Sequence, residues 1–279
     1  MKRIKTLLLL SPIIIFAGEM EIQLGHHIGK SSYTVELKEQ QLKSQLDFPF
    51  EFDTVDVAYA YSIGYSIVTL SSSFLLNSDV ETGQDYDWQK NQLTVFSTSQ
   101  NHVDRYIDLG FEISNAIIDD VELLSQFHYK VLDCAWQDTN QMDYVKNQTS
   151  YIADKSLEYQ QSFYEYLLGF NYRFTFLKDV LFELRPSLSY TVATLTDRHF
   201  LRGFYTVQHL RTFGYNVAFS GNYQVTDQSY IVLALQYKRF VDHSLNMNYY
   251  NQMDENYMIL PSSYRFESGM IGVGYRFSF

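Results

Sequence analysis

The chain closes on Ile271-Gly-Val-Gly-Tyr-Arg-Phe-Ser-Phe279, in which Ile271, Val273, Tyr275, Phe277 and Phe279 alternate with Gly272, Gly274, Arg276 and Ser278. Successive side chains of a strand point to opposite faces, so this stretch is a ribbon with one apolar face and one small or polar face. The same alternation recurs toward the N-terminus. It places Ile231, Leu233, Leu235 and Tyr237 on one face, as it does Phe213, Tyr215, Val217, Phe219 and Tyr223. Tyr164 to Tyr172 and Val55 to Ile63 repeat it. About ten such segments can be counted, each long enough to cross a bilayer as a tilted strand.

The connections alternate in length. Short turns fall near Gly64, 115–120, 177–179 and 226–228; long polar stretches fall near 36–46, 77–102, 138–155, 195–206 and 242–262. Short turns on one rim and long loops on the other predict an all-β fold. The expected form is a ten-stranded antiparallel transmembrane β-barrel whose strands extend above the outer membrane, with both termini on the periplasmic side.

Composition agrees. The 279 residues include 24 Tyr and 21 Phe but only 4 Pro, and 19% are charged, which excludes a disordered chain. The mean hydropathy is −0.21. Beyond the N-terminus no run approaches the roughly 18 apolar residues of a spanning helix, which excludes a helical membrane protein. A net charge of −11 argues against nucleic acid as partner, since phosphate binding needs clustered Lys and Arg. The single cysteine, Cys134, has no partner for an internal disulfide.

Lys2, Arg3 and Lys5 precede an apolar stretch from Thr6 to Phe16 and the small residues Ala17 and Gly18. This predicts a signal peptide over residues 1–18 and a single barrel domain over 19–279.

Two polar stretches carry candidate chemistry. Gln84-Asp85-Tyr86-Asp87-Trp88 holds two carboxylates two residues apart, on one face if the segment is extended. Such a pair repels, which raises one pKa and suits it to hold a water or a proton. Asp197-Arg198-His199 sets a carboxylate beside an imidazole, so that His199 can act as a general base. A surface acidic loop and a surface ion pair are the bland alternatives. Both stretches belong to the same rim, where they can face each other across the barrel mouth. Other candidates are weaker. Ser99 and His102 lack a third member, adjacent His26 and His27 face opposite ways, and Cys134 reads as a packed thiol. No metal site or cofactor is expected.

Together with Ile22-Gln-Leu-Gly25, Gly29-Lys30, Ser44-Gln-Leu-Asp-Phe48 and Gly272-Val-Gly-Tyr-Arg-Phe277, these stretches resemble the omptin family of outer-membrane endopeptidases, in the family's order. The resemblance implies a monomeric aspartic-type endopeptidase that acts on extracellular peptides or proteins from the outer membrane of a Gram-negative-type bacterium, its active site facing the exterior. By position, Asp85 and Asp87 resemble the pair that orients the attacking water, and Asp197 and His199 resemble the catalytic dyad. The chain departs from the family where substrate is bound. The acidic positions of the pocket before the scissile bond correspond to Tyr33 and Leu195, and a third, on the prime side, to Ser97. Lipopolysaccharide, the family's activator, is implied as a partner, and the arginine positions that bind it correspond to Asn140 and Ser162, near Trp136 and Asp138. The alternative is a catalytically weak barrel that serves as a surface adhesin or ligand-binding protein.

Overall fold

The computed structural model describes residues 18–200, 202–251 and 255–279, so the expected signal peptide lies, apart from Gly18, outside the described residues. Among these residues the chain forms β1 (Gly18–Leu37), a 3-10 turn (Lys38–Gln40), β2 (Leu42–Ile63), β3 (Ser66–Ser78), β4 (Glu81–Gln89), β5 (Gln92–Ile118) and β6 (Val121–Asp143). There follow β7 (Gln148–Ile152), β8 (Leu157–Leu177), β9 (Val180–His199), β10 (Phe204–Thr226), β11 (Ser229–Asn251) and β12 (Asn256–Ser278). All pairings are antiparallel, and they close into a ring because β12 returns onto β1.

The expected ten strands are found as twelve strand segments. β3 and β4 share the partners β2 and β5 across a break at Asp79-Val80. β7 and β8 both pair with β6 across a break at 153–156. The Asp79 N–H donates to the Glu51 carbonyl at 3.0 Å, so the first break stays tied to β2.

The four short turns fall where the sequence places them, at the lower end beside the termini. Gly64 turns β2 into β3 at φ +61°, a conformation that favours glycine. The expectation of long loops at the opposite, upper end is corrected: most of those polar residues extend the strands. Lys90 and Asn91, with φ of 52° and 60°, make a tight two-residue turn between β4 and β5.

The reason is a change of phase in the alternation. In the lower tier the apolar residues face outward. Tyr164, Tyr166, Leu168 and Phe170 are exposed on β8, while Glu165 and Asn171 point into the lumen and are buried. Leu188 is 71% and Phe213 76% exposed, the reverse of a water-soluble protein. In the upper tier the faces exchange roles. Leu157, Tyr159, Leu195, Leu46, Phe48 and Phe50 fill the lumen, while Glu158, Gln160, Thr194 and Arg198 face outward. Polar outward positions mimic loop composition while the inward residues keep the strand period.

The apolar upper lumen is one packed core. Phe240 stacks on Phe266 at 5.0 Å, and Phe163 meets both edge-on at 5.9 and 5.6 Å. Each buried aromatic of this kind contributes about 1.5–3 kcal/mol. Below the core is a polar chamber of about 330 Å³ lined by charged pairs such as Arg173–Glu122 at 3.0 Å and Arg276–Glu21 at 2.8 Å.

Candidate functional site

The site forms on the upper core, from strands on opposite walls. Asp197 and His199 end β9, two residues apart and so on the same lumen-facing side. The His199 Nε2 lies 2.9 Å from Asp197 Oδ2, with the carboxylate 1% and the imidazole 12% exposed. Phe204, the cross-strand partner of His199 on β10, stacks on the imidazole at 4.3 Å and fixes its plane. The connection that brings Phe204 there is closed by the Gly203 N–H donating to the His199 carbonyl at 3.0 Å.

Asp85 and Asp87 stand on β4, also on its inward face, so the expected loop is a strand here. Asp85 is opposite Leu46 on one side and Ser97 on the other, and is 7% exposed. A register shift in the β4–β5 pairing falls directly after Asp87, where a bulge re-aims the neighbouring side chains. Burial, then the Asp87 charge, pushes the Asp85 carboxyl up to about 7 from the ordinary 3.8. Arg202 and His199 act on it in the opposite direction and Asp197 in the same direction, so the acidic pair and the dyad lie within electrostatic reach of each other. Asp85 Oδ1 and Asp197 Oδ1 are both buried without a partner. A buried carboxylate oxygen of that kind is suited to accept from a water or a substrate N–H.

An aromatic floor joins the two halves. The Trp136 indole presses on Gly83, two residues before Asp85, and packs on Phe48 at 4.8 Å. Phe48 stacks on Tyr159 at 4.3 Å, which meets Tyr33 at 5.7 Å. Tyr159 is in turn the cross-strand neighbour of Asp197. A Cβ on Gly83 would stand 2.5 Å from the indole. Gly83→Ala is therefore expected to tilt Trp136 and shift the acidic pair, moving the pH at which Asp85 titrates without loss of sheet. An unchanged Asp85 titration, with an unchanged circular dichroism spectrum, would refute the coupling.

The three residues expected to bind substrate are all buried. Leu195, 1% exposed, lies in the floor directly below Asp197, and Ser97, 4% exposed, lies beside Asp85. Tyr33, 3% exposed, reaches across the lumen and donates its hydroxyl to Asp197 Oδ2. The sequence showed neither this contact nor the roles of Phe204 and Arg202. Tyr33 and Asp197 are 164 residues apart, and only closure of the ring brings them together.

The remaining candidates form no second centre. Ser99 bonds to Thr139 at 2.8 Å and His102 to Asp104 at 2.9 Å. His26 binds Asp53 at 2.9 Å, whereas His27 stacks on Phe52 at 4.7 Å. Cys134 is buried in the core. Trp136 is also in the core rather than on the outer wall, and Asp138 accepts from the Tyr151 hydroxyl at 2.7 Å. Asn140 and Ser162 pair across the sheet with Tyr151 and Thr194.

No protein-family model matches the chain, and no curated protein sequence matches it. Solved structures do. The outer membrane protease OmpT from Escherichia coli superposes with a TM-score of 0.82 at 15% identity, over 94% of this chain and 97% of that one. The translocator domain of the autotransporter NalP from Neisseria meningitidis gives 0.44 at 10% identity, over 96% and 90%. The outer membrane protein OprG from Pseudomonas aeruginosa gives 0.41 at 13%, over 94% and 96%. At 15% identity the first likeness is one of fold, and this chain has the β-barrel fold of an outer membrane protease.

Proposed function

We propose that the chain is an omptin-type, aspartic-type endopeptidase of the outer membrane that hydrolyses extracellular peptides or proteins. The observation that carries this is the hydrogen-bonded Asp197–His199 pair on the upper core, within electrostatic reach of the buried Asp85–Asp87 pair. The exposed apolar lower wall supports ten strand courses crossing the bilayer, with the site on the exterior side.

In this mechanism a water is held between the two pairs. Asp85, carrying a proton near neutral pH, and Asp87 offer it a donor and an acceptor. His199 removes a proton from the water as its oxygen attacks the scissile carbonyl carbon, and Asp197 stabilises the imidazolium that results. The proton then passes to the leaving amine as the C–N bond breaks, giving a carboxylic acid and an amine with no acyl-enzyme. The monomer is the functional unit in this proposal, with lipopolysaccharide as activator.

The test is cleavage of a randomised peptide library by the refolded barrel, with and without lipopolysaccharide. Cleavage under either condition supports the proposal, and an inert barrel under both returns the adhesin alternative. Specificity is expected to differ from a protease for paired basic residues. Tyr33 and Leu195 add no carboxylate to the floor, so peptides with Lys or norleucine before the scissile bond should be cut within about threefold of each other. A preference for Lys of about 100-fold would contradict this.

A further inference from the structure

Among the described residues, Tyr33 is the one side chain on the wall opposite β9 that bonds to the dyad. It extends from β1, whose ring neighbours are β2 and β12, and crosses the lumen to donate to Asp197 Oδ2. That oxygen also faces His199 Nε2, while Asp197 Oδ1 is buried without a partner. The phenol ring is fixed by Phe48 at 6.2 Å and Tyr159 at 5.7 Å. Burial, reinforced by the Asp197 charge, holds the hydroxyl far above its ordinary pKa, so it stays protonated and keeps the proton it donates to Asp197.

Resting on the endopeptidase reading, we propose that Tyr33 is a positioning residue that divides the charge of Asp197 with His199 and thereby sets the basicity of the imidazole. A carboxylate that accepts a hydrogen bond from a phenol spreads part of its charge into that bond. Less is left to stabilise the imidazolium, and His199 returns its proton more readily to the leaving amine. The tyrosine also restrains the carboxylate, because it holds Oδ2, the same oxygen that faces Nε2. The other titratable or charged groups around the dyad are Tyr159 on β8, the Asp85–Asp87 pair on β4 and Arg202 in the β9–β10 turn. Among the described residues the side-chain bonds to Asp197 come from Tyr33 and His199 and none from these groups, so Tyr33 is the donor whose removal changes the carboxylate most directly.

The experiment is the pH profile of kcat/KM for Tyr33→Phe and for 3-fluorotyrosine placed at position 33, beside the parent barrel. Phenylalanine keeps the ring and removes the donor. The acid limb should then move to higher pH by about half a unit or more, and plateau kcat should fall about 3- to 10-fold with KM nearly unchanged. Fluorotyrosine is a stronger donor and should move the acid limb to lower pH. An acid limb that stays in place in both variants, or a change confined to KM, overturns the proposal and leaves Tyr33 as packing or as a substrate contact. Titration of the His199 imidazole by NMR, assigned with His199→Ala, gives the same two shifts without any substrate. If the barrel cuts no peptide, the endopeptidase reading fails while this titration still decides whether Tyr33 tunes the dyad.

Discussion

His199→Ala is expected to lower kcat by about 10²- to 10⁴-fold, the range that a positioned general base contributes. KM should change little, because the imidazole sits against Asp197 and Phe204 rather than in a substrate-sized recess. Asp197→Asn should lose nearly as much. An amide can keep the contact to Nε2 but cannot stabilise an imidazolium, and its N–H would oppose the Tyr33 hydroxyl as a second donor. The two losses should not add, because both variants disable one unit. The measurement is single-turnover cleavage of one peptide by the single and double variants. A double variant slower than either single by the product of their effects would separate the two residues and contradict a dyad.

Asp85→Asn is expected to have opposite effects on activity and on stability. Activity should fall about 100-fold or more, because the pair loses the carboxyl that holds its proton near neutral pH. Stability should rise, and the sign follows from the pKa. Below about pH 4 Asp85 is protonated in both folded and unfolded chains. Between there and about 7 the folded chain retains a proton that the unfolded chain has lost, so stability is lost as pH rises through that window. At about 1.4 kcal/mol per pKa unit, the buried charge costs several kcal/mol at pH 8. Asparagine removes that cost. The variant should therefore match the parent in urea at pH 4 and outlast it at pH 8, measured in detergent micelles. Equal midpoints at both pH values would mean that Asp85 is ionised at little cost. In the parent, Asp87→Asn should lower the pH at which Asp85 titrates and Arg202→Ala should raise it, since the first charge opposes ionisation and the second favours it.

The lower tier was legible residue by residue. Tyr164 to Tyr172 show period two, turn signals bound them, and the structure places them on one exposed face. The upper tier was misread because its outward positions are polar. Within the expected loop 195–206, Thr196 and Arg198 look like loop residues until the burial of Leu195 and Asp197 beside them is seen. The break at Asp79-Val80 was likewise hidden, since a strand interrupted by two residues keeps both partners and leaves little trace in composition. Within the site, Asp-x-Asp and Asp-x-His were readable because two-residue spacing shares a face in any strand. Tyr33, Phe204 and Trp136 were not, because their positions depend on ring closure, on a hairpin and on a glycine opposite an indole.

The exchange of faces between the two tiers also sets a height. In the proposed outer-membrane placement, lipid accepts the outer wall only where it is apolar, so the upper limit of that surface, near Val192 on β9, fixes how deep the barrel can sink. Asp197 is five residues farther along the same strand. At about 3.3 Å per residue and a tilt near 40°, that lifts the dyad on the order of 12 Å above the lipid. If the barrel is the proposed endopeptidase, a protein anchored in the same membrane could offer for cutting only a segment that stands clear of the bilayer by that distance. Lengthening β9 and its neighbours in register by two residues below the dyad would raise the blade by about 5 Å and spare shorter stalks.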